Sequence, residues 1–416
     1  MAKSPPAPPP IQARHLKQAI LSFSQESLWF LQQLDPGSTV YNSTVLLKFS
    51  GGIDPTALQQ ALNALILRHE SLRTFYPSQG GRPVQVIQPF ESFALPFVDY
   101  SALPENSLDQ AVRQFVSEQS NDPFDLQRGP SARFAHLHTA QNVDFLFFCT
   151  HHINFDAWSR QIFIGELLKL YEAFHSGREI GLSDLPIQFA DYADWQMGWL
   201  NGGRLVAYTE HWKDILSGDL PVLELQTDRP RPVIQSFRGA RVDFQFPEEI
   251  SLRMKEFCRA ERLTIFQLLL AAYALVLMRH TGQEDIIVGC PFANRSRPEL
   301  DGLVGLFVNT LPIRVNLGGN PSVREYLKRV QSVMLEAYPW QAAPFEALVS
   351  AISPQRDLSR NPVFQVVINL KNVPKHQTFI EGLDVESIQQ EDAPSPFELS
   401  LEFEVGEAGA LAASIQ

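Results

Sequence analysis

Apolar residues follow helical spacing in one stretch of the chain and form short continuous runs in the next. Asp54 is a good N-cap residue and Pro55 suits the first position of a helix. After them, apolar side chains recur on one helix face, at Leu58, Ala61, Leu62, Leu65 and Ile66. This helix is predicted to end near residues 68–70, and the run at 72–76 predicts a strand.

The same alternation continues through the middle of the chain. The apolar run at 145–149 follows Asp144 and predicts a strand that is covered on both faces. Helical spacing returns over 162–171, and Gly177 is predicted to end that helix. The second half repeats the order loosely, with a predicted helix over 268–278 and a strand over 285–289. The pattern therefore favours two related α/β lobes over one large sheet.

The chain is predicted to consist of a linker and two lobes. Residues 1–18 form a proline-rich linker, extended and semi-rigid over 4–10. The N-terminal lobe is predicted at 19–185 and the C-terminal lobe at 186–416, with crossover segments near 186–240. Met1 suggests that no domain precedes the linker, and residues 410–416 resemble the start of a strand, which suggests that the chain continues.

Composition and charge narrow the classes of function. A length of 416 residues suits two lobes of about 200 residues each. The net charge of -12 without basic runs argues against nucleic-acid binding. The longest apolar run, at 263–278, is shorter than the ~20 residues that span a bilayer and predicts a buried helix. Cys149, Cys258 and Cys290 suggest neither a disulfide framework nor a metal site, which favours a cytoplasmic location.

Candidate chemistry lies at the end of the predicted strand, where His151 and His152 precede Asp156. A metal triad is disfavoured because neighbouring strand residues point to opposite faces. A nucleophile–base pair of Cys149 and His151 lacks an orienting partner. A third interpretation has one histidine as general base or positioning group, with Asp156 fixing the loop. For a lone histidine pair, a purely structural role would be favoured over all three.

Motifs along nearly the whole chain support the third interpretation. His-His-x-x-x-Asp-Gly is the signature of nonribosomal peptide synthetase condensation domains, and residues 151–157 resemble it with Ala157 in place of Gly. Further segments resemble the family's other motifs in the family's order: SFSQESLWFL at 22–31 with YN at 41–42, RHESLRTF at 68–75, PFDL at 123–126 with GP at 129–130 and Arg133, DYADWQ at 191–196, GCPFANR at 289–295 and GLFVNTL at 305–311. Any one of these strings is a weak signal, whereas this many in register is a strong one.

The resemblance implies an α/β fold of two chloramphenicol-acetyltransferase-like lobes, arranged as a V-shaped pseudo-dimer with a central tunnel. It makes His152 the catalytic residue, which orients or deprotonates the acceptor amine. His151 and Asp156 are then structural supports, with Asp156 pairing with Arg295 across the lobes, as a buried carboxylate requires. The residues expected near the tunnel and its substrates are Ser24, Ala157, Trp158 and Asn309.

The resemblance also implies the reaction and the partners. The domain would form an amide bond between a donor acyl or peptidyl thioester and an acceptor aminoacyl thioester. Both substrates would arrive on phosphopantetheine arms of donor and acceptor peptidyl carrier proteins, beside an adenylation domain. No metal and no cofactor of its own is implied, nor a membrane partner. The chain would be a monomeric domain of a larger synthetase.

Departures from the family pattern leave alternatives open. Ala157 adds a methyl group, which is penalised where the backbone needs a positive φ or where a substrate arm passes closely. Trp340 stands where the family usually has His, and Ala342 and Ala343 replace a segment that commonly carries Asp. These changes favour, as an alternative, an impaired domain that recruits carriers or enzymes. An acyltransferase on free or coenzyme A substrates is a second alternative, although its plant-type Asp-Phe-Gly-Trp-Gly segment is not found.

Overall fold

The computed structural model describes residues 8–140, 142–352, 357, 359–371, 380–388, 394–406 and 410–416. Its helices are α1 (Phe23–Leu34), α2 (Pro55–Arg68), α3 (Glu105–Ser120), α4 (Ala157–Ser176), α5 (Phe189–Trp199), α6 (Leu205–Ile215), α7 (Glu248–Glu261), α8 (Ile265–Thr281), α9 (Val323–Ala337) and α10 (Phe345–Ile352). Short helical turns lie at Glu70–Arg73, His152–Asn154, Leu200–Arg204, Pro298–Leu300 and Tyr338–Trp340.

The described strands fall into two larger sheets and two small ones. In chain order they are β1 (Gln18–Ala19), β2 (Asn42–Ser50), β3 (Thr74–Phe75), β4 (Ser78–Gln79), β5 (Arg82–Pro83), β6 (Gln85–Ile87), β7 (Phe97–Asp99), β8 (Ala132–His138), β9 (Val143–His151), β10 (Val242–Gln245), β11 (Asp285–Phe292), β12 (Asn309–Asn316), β13 (Val366–Lys371), β14 (Asp384–Ile388), β15 (Leu399–Val405) and β16 (Leu411–Ile415). The larger sheets have the orders β14-β2-β9-β8-β7 and β10-β16-β15-β13-β11-β12. Two separate sheets confirm the prediction of two α/β lobes over one large sheet.

The N-terminal sheet is buried on both faces. Helices α2 and α4 pack on one face together with Phe148 and Phe163, whose stacked rings lie 4.3 Å apart. The other face packs against α3, α5 and a segment from the second half that includes Phe307. Because β9 is central and covered on both sides, its residues from 144 to 151 are all buried. The strand predicted at 145–149 is confirmed and extends to His151.

Local signals for helix ends are also confirmed. The side chain of Asp54 accepts hydrogen bonds from the backbone N–H groups of Thr56 and Ala57 at the start of α2. Gly177 has the left-handed conformation (φ 68°) after α4, as its predicted stop requires. Helix α8 contains residues 265–278 of the run predicted as a buried helix. One side of it belongs to the core of the C-terminal lobe, whereas Leu275 and Val276 are exposed.

The predicted strand at 72–76 is mostly wrong. Residues Glu70–Arg73 form a 3₁₀ turn and only Thr74–Phe75 are extended. Two hydrogen bonds favour the turn: Thr74 Oγ1 donates to the carbonyl of Glu70 at 2.8 Å, and Ser71 Oγ donates to that of Val304 at 2.8 Å. Leu72 is buried here on a turn, which an apolar run alone does not distinguish from a strand.

The two lobes exchange chain segments. Strand β14, which the predicted division places in the C-terminal lobe, pairs antiparallel with β2 and extends the N-terminal sheet. Leu300, Leu303, Leu306 and Phe307, which lie between β11 and β12, pack in the N-terminal core. Contacts between segments that are distant in sequence therefore join the lobes, and no boundary at a single position describes them.

The described part of the proline-rich linker, residues 8–18, packs against the folded chain. The carbonyl of Pro9 accepts hydrogen bonds from Trp195 Nε1 at 2.8 Å and from Arg297 at 3.1 Å. The backbone N–H of Arg14 donates to Asp191 at 2.9 Å, and Gln18–Ala19 form a strand with β6. Residues 8–18 of the predicted linker therefore lie along α5, and residues 1–7 lie outside the described part.

Among the described residues, no single helix has the length and apolar character to cross a membrane. Only α7 and α8 taken together pass on length and composition, and they bend by 105° at their junction.

Candidate active site

The candidate loop connects the end of β9 to the start of α4. Backbone hydrogen bonds fix its first residues: His151 N–H donates to the carbonyl of Ser131 at 3.2 Å, and His152 N–H donates to that of Tyr41 at 2.7 Å. Residues His152–Asn154 then form one 3₁₀ turn. The strand has therefore ended before the second histidine, and the two imidazoles lie in different environments.

His151 is enclosed in the protein core. Its Nδ1 accepts a hydrogen bond from the backbone N–H of Ile153 at 3.2 Å, and the rings of Tyr41 and Phe124 flank the imidazole. Burial, and to a smaller extent the neighbouring His152, lowers the pKa of His151 to about 3. The ring is therefore neutral near pH 7, and its Nε2 is buried without a hydrogen-bond partner.

His152 is half-buried and fixed in one tautomer. Its Nδ1 lies within hydrogen-bonding distance of the carbonyl oxygen of Phe155, which accepts. Since a carbonyl oxygen cannot donate, the neutral ring carries its proton on Nδ1 and a free lone pair on Nε2. A fixed imidazole with a free Nε2 can accept a proton or a hydrogen bond from a substrate.

The contacts of the loop argue against a metal triad and against a nucleophile–base pair of Cys149 and His151. The side chains of His151, His152 and Asp156 point to separate partners and do not converge on one point. Cys149 is fully buried, and burial raises the pKa of its thiol to about 11. A thiol with a raised pKa is a poor nucleophile at neutral pH, because the thiolate is the reactive form.

Asp156 anchors the loop to the second half of the chain. Its Oδ1 accepts hydrogen bonds from the backbone N–H and the hydroxyl of Ser159, both at 2.7 Å, and so caps α4. Its Oδ2 accepts from the backbone N–H groups of Phe307 at 3.0 Å and Val308 at 3.3 Å. Oδ1 therefore joins the loop to α4, and Oδ2 joins it to the segment at 307–308.

Arg295 completes this junction. Its guanidinium lies 3.5 Å from Asp156 Oδ1, and the two side chains are 1% and 2% exposed. The same guanidinium donates to the carbonyls of Leu300 and Leu303 and lies 4.0 Å from the ring centroid of Phe307. Burial lowers the pKa of Arg295, and the charge of Asp156 opposes that shift. The predicted contact between Asp156 and Arg295 is present.

Gly305 allows the same segment to approach α5. A Cβ atom at this position would lie 2.0 Å from Cδ2 of Phe189. The backbone of Gly305 also contacts Ser159, whose Oγ lies 2.8 Å from the Gly305 carbonyl and accepts from its N–H at 3.0 Å. A glycine is therefore needed here for close packing.

The four residues predicted near the tunnel have different environments. Ala157 is exposed and opens α4, and it is not among the described residues with positive φ. Trp158 donates from Nε1 to the carbonyl of Asp301 at 3.1 Å. Ser24 is half-buried in the first turn of α1. Because the φ angle of Ala157 is not positive, its methyl group carries no penalty from the backbone conformation.

Asn309 is engaged by backbone groups. Its amide nitrogen donates to the carbonyls of Gln341 at 2.8 Å and Ala343 at 2.7 Å, and its oxygen accepts from the N–H of Phe345 at 3.2 Å. Both amide hydrogens are used, so none remains for a substrate. These contacts hold residues 341–345 in place, and the position of Asn309 near the tunnel stays a prediction.

A buried polar network behind the loop was missed by the sequence analysis. The amide nitrogen of Gln25 lies 2.9 Å from the hydroxyl of Tyr76 and 3.2 Å from the carbonyl of Ile153, to which it donates. The Tyr76 hydroxyl donates to Asn154, whose amide donates to Ser131 Oγ at 2.6 Å. These groups hold the 3₁₀ turn against α1. Gln25 lies in the first motif segment, which is the only sequence signal for it.

A second group missed by the sequence analysis is Glu346 at the start of α10. Burial raises the pKa of its carboxyl group, and its Oε2 is buried without a hydrogen-bond partner. Its charge also contributes to the raised pKa of Tyr41, for which burial is the larger cause. The carbonyl of Tyr41 accepts the hydrogen bond from the backbone N–H of His152. Glu346, an ionisable residue of the C-terminal lobe, therefore lies near the candidate loop.

Comparisons with known proteins agree on one family. The family model described as "Condensation domain" matches residues 15–416. The chain is 40% identical over 399 residues to a linear gramicidin synthase protein from Brevibacillus parabrevis, and the match covers 95% of this chain and 8% of that protein. It is also 36% identical over 381 residues to malpinin synthetase from Mortierella alpina, covering 92% of this chain and 5% of that protein.

Solved structures show the same fold. The X-domain from teicoplanin biosynthesis superposes with a TM-score of 0.86 and 25% identity, covering 98% of this chain and 91% of that one. The first condensation domain of the calcium-dependent antibiotic synthetase, in complex with a substrate analogue, gives a TM-score of 0.78 at 18% identity and covers 96% and 90%. At that identity the second likeness concerns the fold alone.

Proposed function

The chain belongs to the condensation-domain family and has its chloramphenicol-acetyltransferase-like fold, and from this premise we propose that it forms amide bonds between carrier-bound substrates. A donor acyl or peptidyl thioester reacts with the amine of an acceptor aminoacyl thioester. The observation that carries the proposal is the fixed imidazole of His152, which has a free Nε2 and lies in the turn that directly follows the buried strand β9.

The reaction needs few groups from the protein. The acceptor nitrogen attacks the thioester carbonyl, the C–N bond forms, and the C–S bond breaks to release the donor phosphopantetheine thiol. His152 Nε2 accepts a hydrogen bond from the attacking amine and orients or deprotonates it, and the released proton is available to the leaving thiolate. Because a thioester is already reactive, holding both substrates together supplies much of the acceleration. His151, Asp156 and Arg295 serve as structural supports of the loop.

The partners follow from the family. We propose that donor and acceptor peptidyl carrier proteins bring their phosphopantetheine arms into a tunnel between the lobes, past Ala157 and Trp158. The chain covers 8% of its gramicidin synthase relative, which supports a domain of a larger synthetase. We propose that this domain is monomeric and lies beside an adenylation domain. The free cysteines at positions 149, 258 and 290 support a cytoplasmic location. No cofactor of its own enters this scheme.

A recruiting domain of the same fold is the second candidate function. Two observations favour it. Ala157 departs from the signature. Trp340 stands where the family usually has His, and its ring stacks on that of His211 with centroids 4.1 Å apart. Such a domain would bind carriers without joining their substrates.

The test combines a loaded donor carrier, a loaded acceptor carrier and the full chain, with mass spectrometry of the acceptor arm. We expect the dipeptidyl product on the acceptor carrier, and none when the donor is a free acyl-coenzyme A. Carrier binding is measured in parallel by calorimetry. Binding without product would overturn the catalytic proposal in favour of recruitment, and product from acyl-coenzyme A would favour an acyltransferase on free substrates.

A further inference from the structure

Two histidines and an aspartate meet at the far end of the N-terminal sheet. His136 and His138 lie two residues apart on β8, so their side chains project from the same face. Asp144, on the neighbouring strand β9, is paired in register with His138. Strand geometry therefore places three metal-binding side chains of two types on one small patch.

The ligand atoms converge. His136 Nε2 lies 2.8 Å and His138 Nδ1 lies 2.9 Å from the same oxygen, Asp144 Oδ1. Atoms of all three side chains lie within 4.8 Å of one another, and within the described part of the chain this is the one such group of three His, Cys, Asp or Glu residues. Neighbouring ligands of a tetrahedral Zn²⁺ with bonds of about 2.0–2.1 Å lie about 3.3 Å apart, so each nitrogen–oxygen distance would lengthen by about 0.4–0.5 Å when an ion binds.

We propose that His136, His138 and Asp144 form a binding site for a divalent transition-metal ion of the Zn²⁺ class. Two imidazole nitrogens and one carboxylate oxygen are ligands that Zn²⁺ accepts, and water would complete the coordination as the fourth ligand. Without an ion, the same two imidazole nitrogens, His136 Nε2 and His138 Nδ1, form hydrogen bonds to Asp144.

The surroundings suit an ion that enters from solvent. The side chains of His136 and Asp144 are 2% and 3% exposed, whereas that of His138 is 41% exposed and forms the open side. The ring of Phe97 covers the flank, stacked on His138 at 5.9 Å and edge-on to His136 at 5.2 Å. An apolar cover beside two buried ligands strengthens the interactions with an ion.

The site is separate from the candidate active site. Asp144 and His151 lie at opposite ends of β9, seven residues apart, which corresponds to about 23 Å at ~3.3 Å per residue. An ion there would join β8 to β9 and would not touch the reacting groups. The proposal therefore does not depend on whether the chain catalyses condensation.

The test is a titration of the full chain with ZnCl₂. The chain carries no affinity tag that binds metal, and a chelator removes bound ions beforehand. Calorimetry measures stoichiometry, and Co²⁺ provides an absorption spectrum that reports the coordination geometry. We expect one ion per chain. His138→Gln keeps a donor toward Asp144 but lacks the imidazole, and we expect it to weaken binding by at least the ~10–100-fold that loss of an outer-shell partner causes.

His175→Gln is the matched control. His175 is 54% exposed and also faces a carboxylate, Asp54, at 3.7 Å, but no third ligand completes that pair among the described residues. This variant should bind Zn²⁺ like the wild-type chain. Wild-type binding that is absent at 100-fold molar excess, or equal loss in both variants, would overturn the proposal and leave the three side chains as a hydrogen-bonded cluster. Circular dichroism and the melting temperature verify that each variant is folded.

Discussion

Asp156→Ala is expected to be one of the more damaging single substitutions in this chain, because it removes several contacts of one buried carboxylate. The side chain caps α4, accepts two backbone hydrogen bonds from 307 and 308, and faces Arg295. Alanine removes from the buried guanidinium of Arg295 the carboxylate that it pairs with, the larger of the two acidic charges that act on it. It also leaves the two backbone N–H groups without their acceptor.

The magnitude follows from these losses. Breaking a buried ion pair by removing one partner costs about 3–5 kcal/mol. Loss of an N-cap alone costs about 1 kcal/mol. Asp54→Ala is the matched control, because Asp54 caps α2 through the N–H groups of Thr56 and Ala57 but is 40% exposed and has no buried cation. We therefore expect the free energy of unfolding to fall by about 3–5 kcal/mol for Asp156→Ala and by about 1 kcal/mol for Asp54→Ala.

Urea denaturation followed by circular dichroism and tryptophan fluorescence measures both variants. If Asp156→Ala does not fold well enough, Arg295→Met, which replaces the cation by an apolar side chain, tests the same pair. Equal stability losses for Asp156→Ala and Asp54→Ala would show that the Asp156 carboxylate acts only as a helix cap and that its pairing with Arg295 adds no stability.

Three further predictions concern the loop and its supports. The pKa of His151 is about 3 in the folded chain against about 6.5 unfolded, so the unfolded state binds more protons between these values and stability falls as the pH drops below about 6.5. Between pH 7.5 and pH 5 the wild-type chain should lose about 2 kcal/mol more unfolding free energy than His151→Gln, and equal losses would contradict the burial of a neutral ring. Ala157→Gly should lower stability by up to about 1 kcal/mol in thermal denaturation, because Ala157 opens α4 without a positive φ; a gain would show that the methyl group is strained. Gly305→Ala should cost about 1–3 kcal/mol in urea denaturation, because its Cβ would lie 2.0 Å from Phe189, whereas Gly302→Ala, whose Cβ meets Leu185 at 3.3 Å, should cost less.

The sequence predicted those parts of the fold and site that local patterns encode. Asp54, Pro55 and Gly177 mark helix ends through chemistry within a few residues, and the apolar run before His151 marks a strand through its composition. The pairing of Asp156 with Arg295 joins residues 139 positions apart, and only the resemblance to a family supplied it.

The remainder depends on tertiary contacts that no local pattern contains. The network of Gln25, Tyr76 and Asn154 gathers polar groups from three distant segments, and each of them alone resembles an ordinary surface or core residue. Strand β14 extends the N-terminal sheet because β2 offers it an open edge, which its own sequence does not reveal. The hydrogen bonds from the Asn309 amide to the carbonyls of Gln341 and Ala343 also join segments more than 30 residues apart, and no local pattern predicts them.

We propose that His152 assists amide-bond formation. Its most direct test is the single-turnover rate of product formation between loaded carriers, for the wild-type chain, His152→Ala and His175→Ala as a remote histidine control. A positioned histidine contributes about 10²–10⁴-fold, so we predict a loss of that size for His152→Ala, with unchanged carrier binding and melting temperature. His175→Ala should match the wild-type rate. A wild-type rate in His152→Ala would contradict the account.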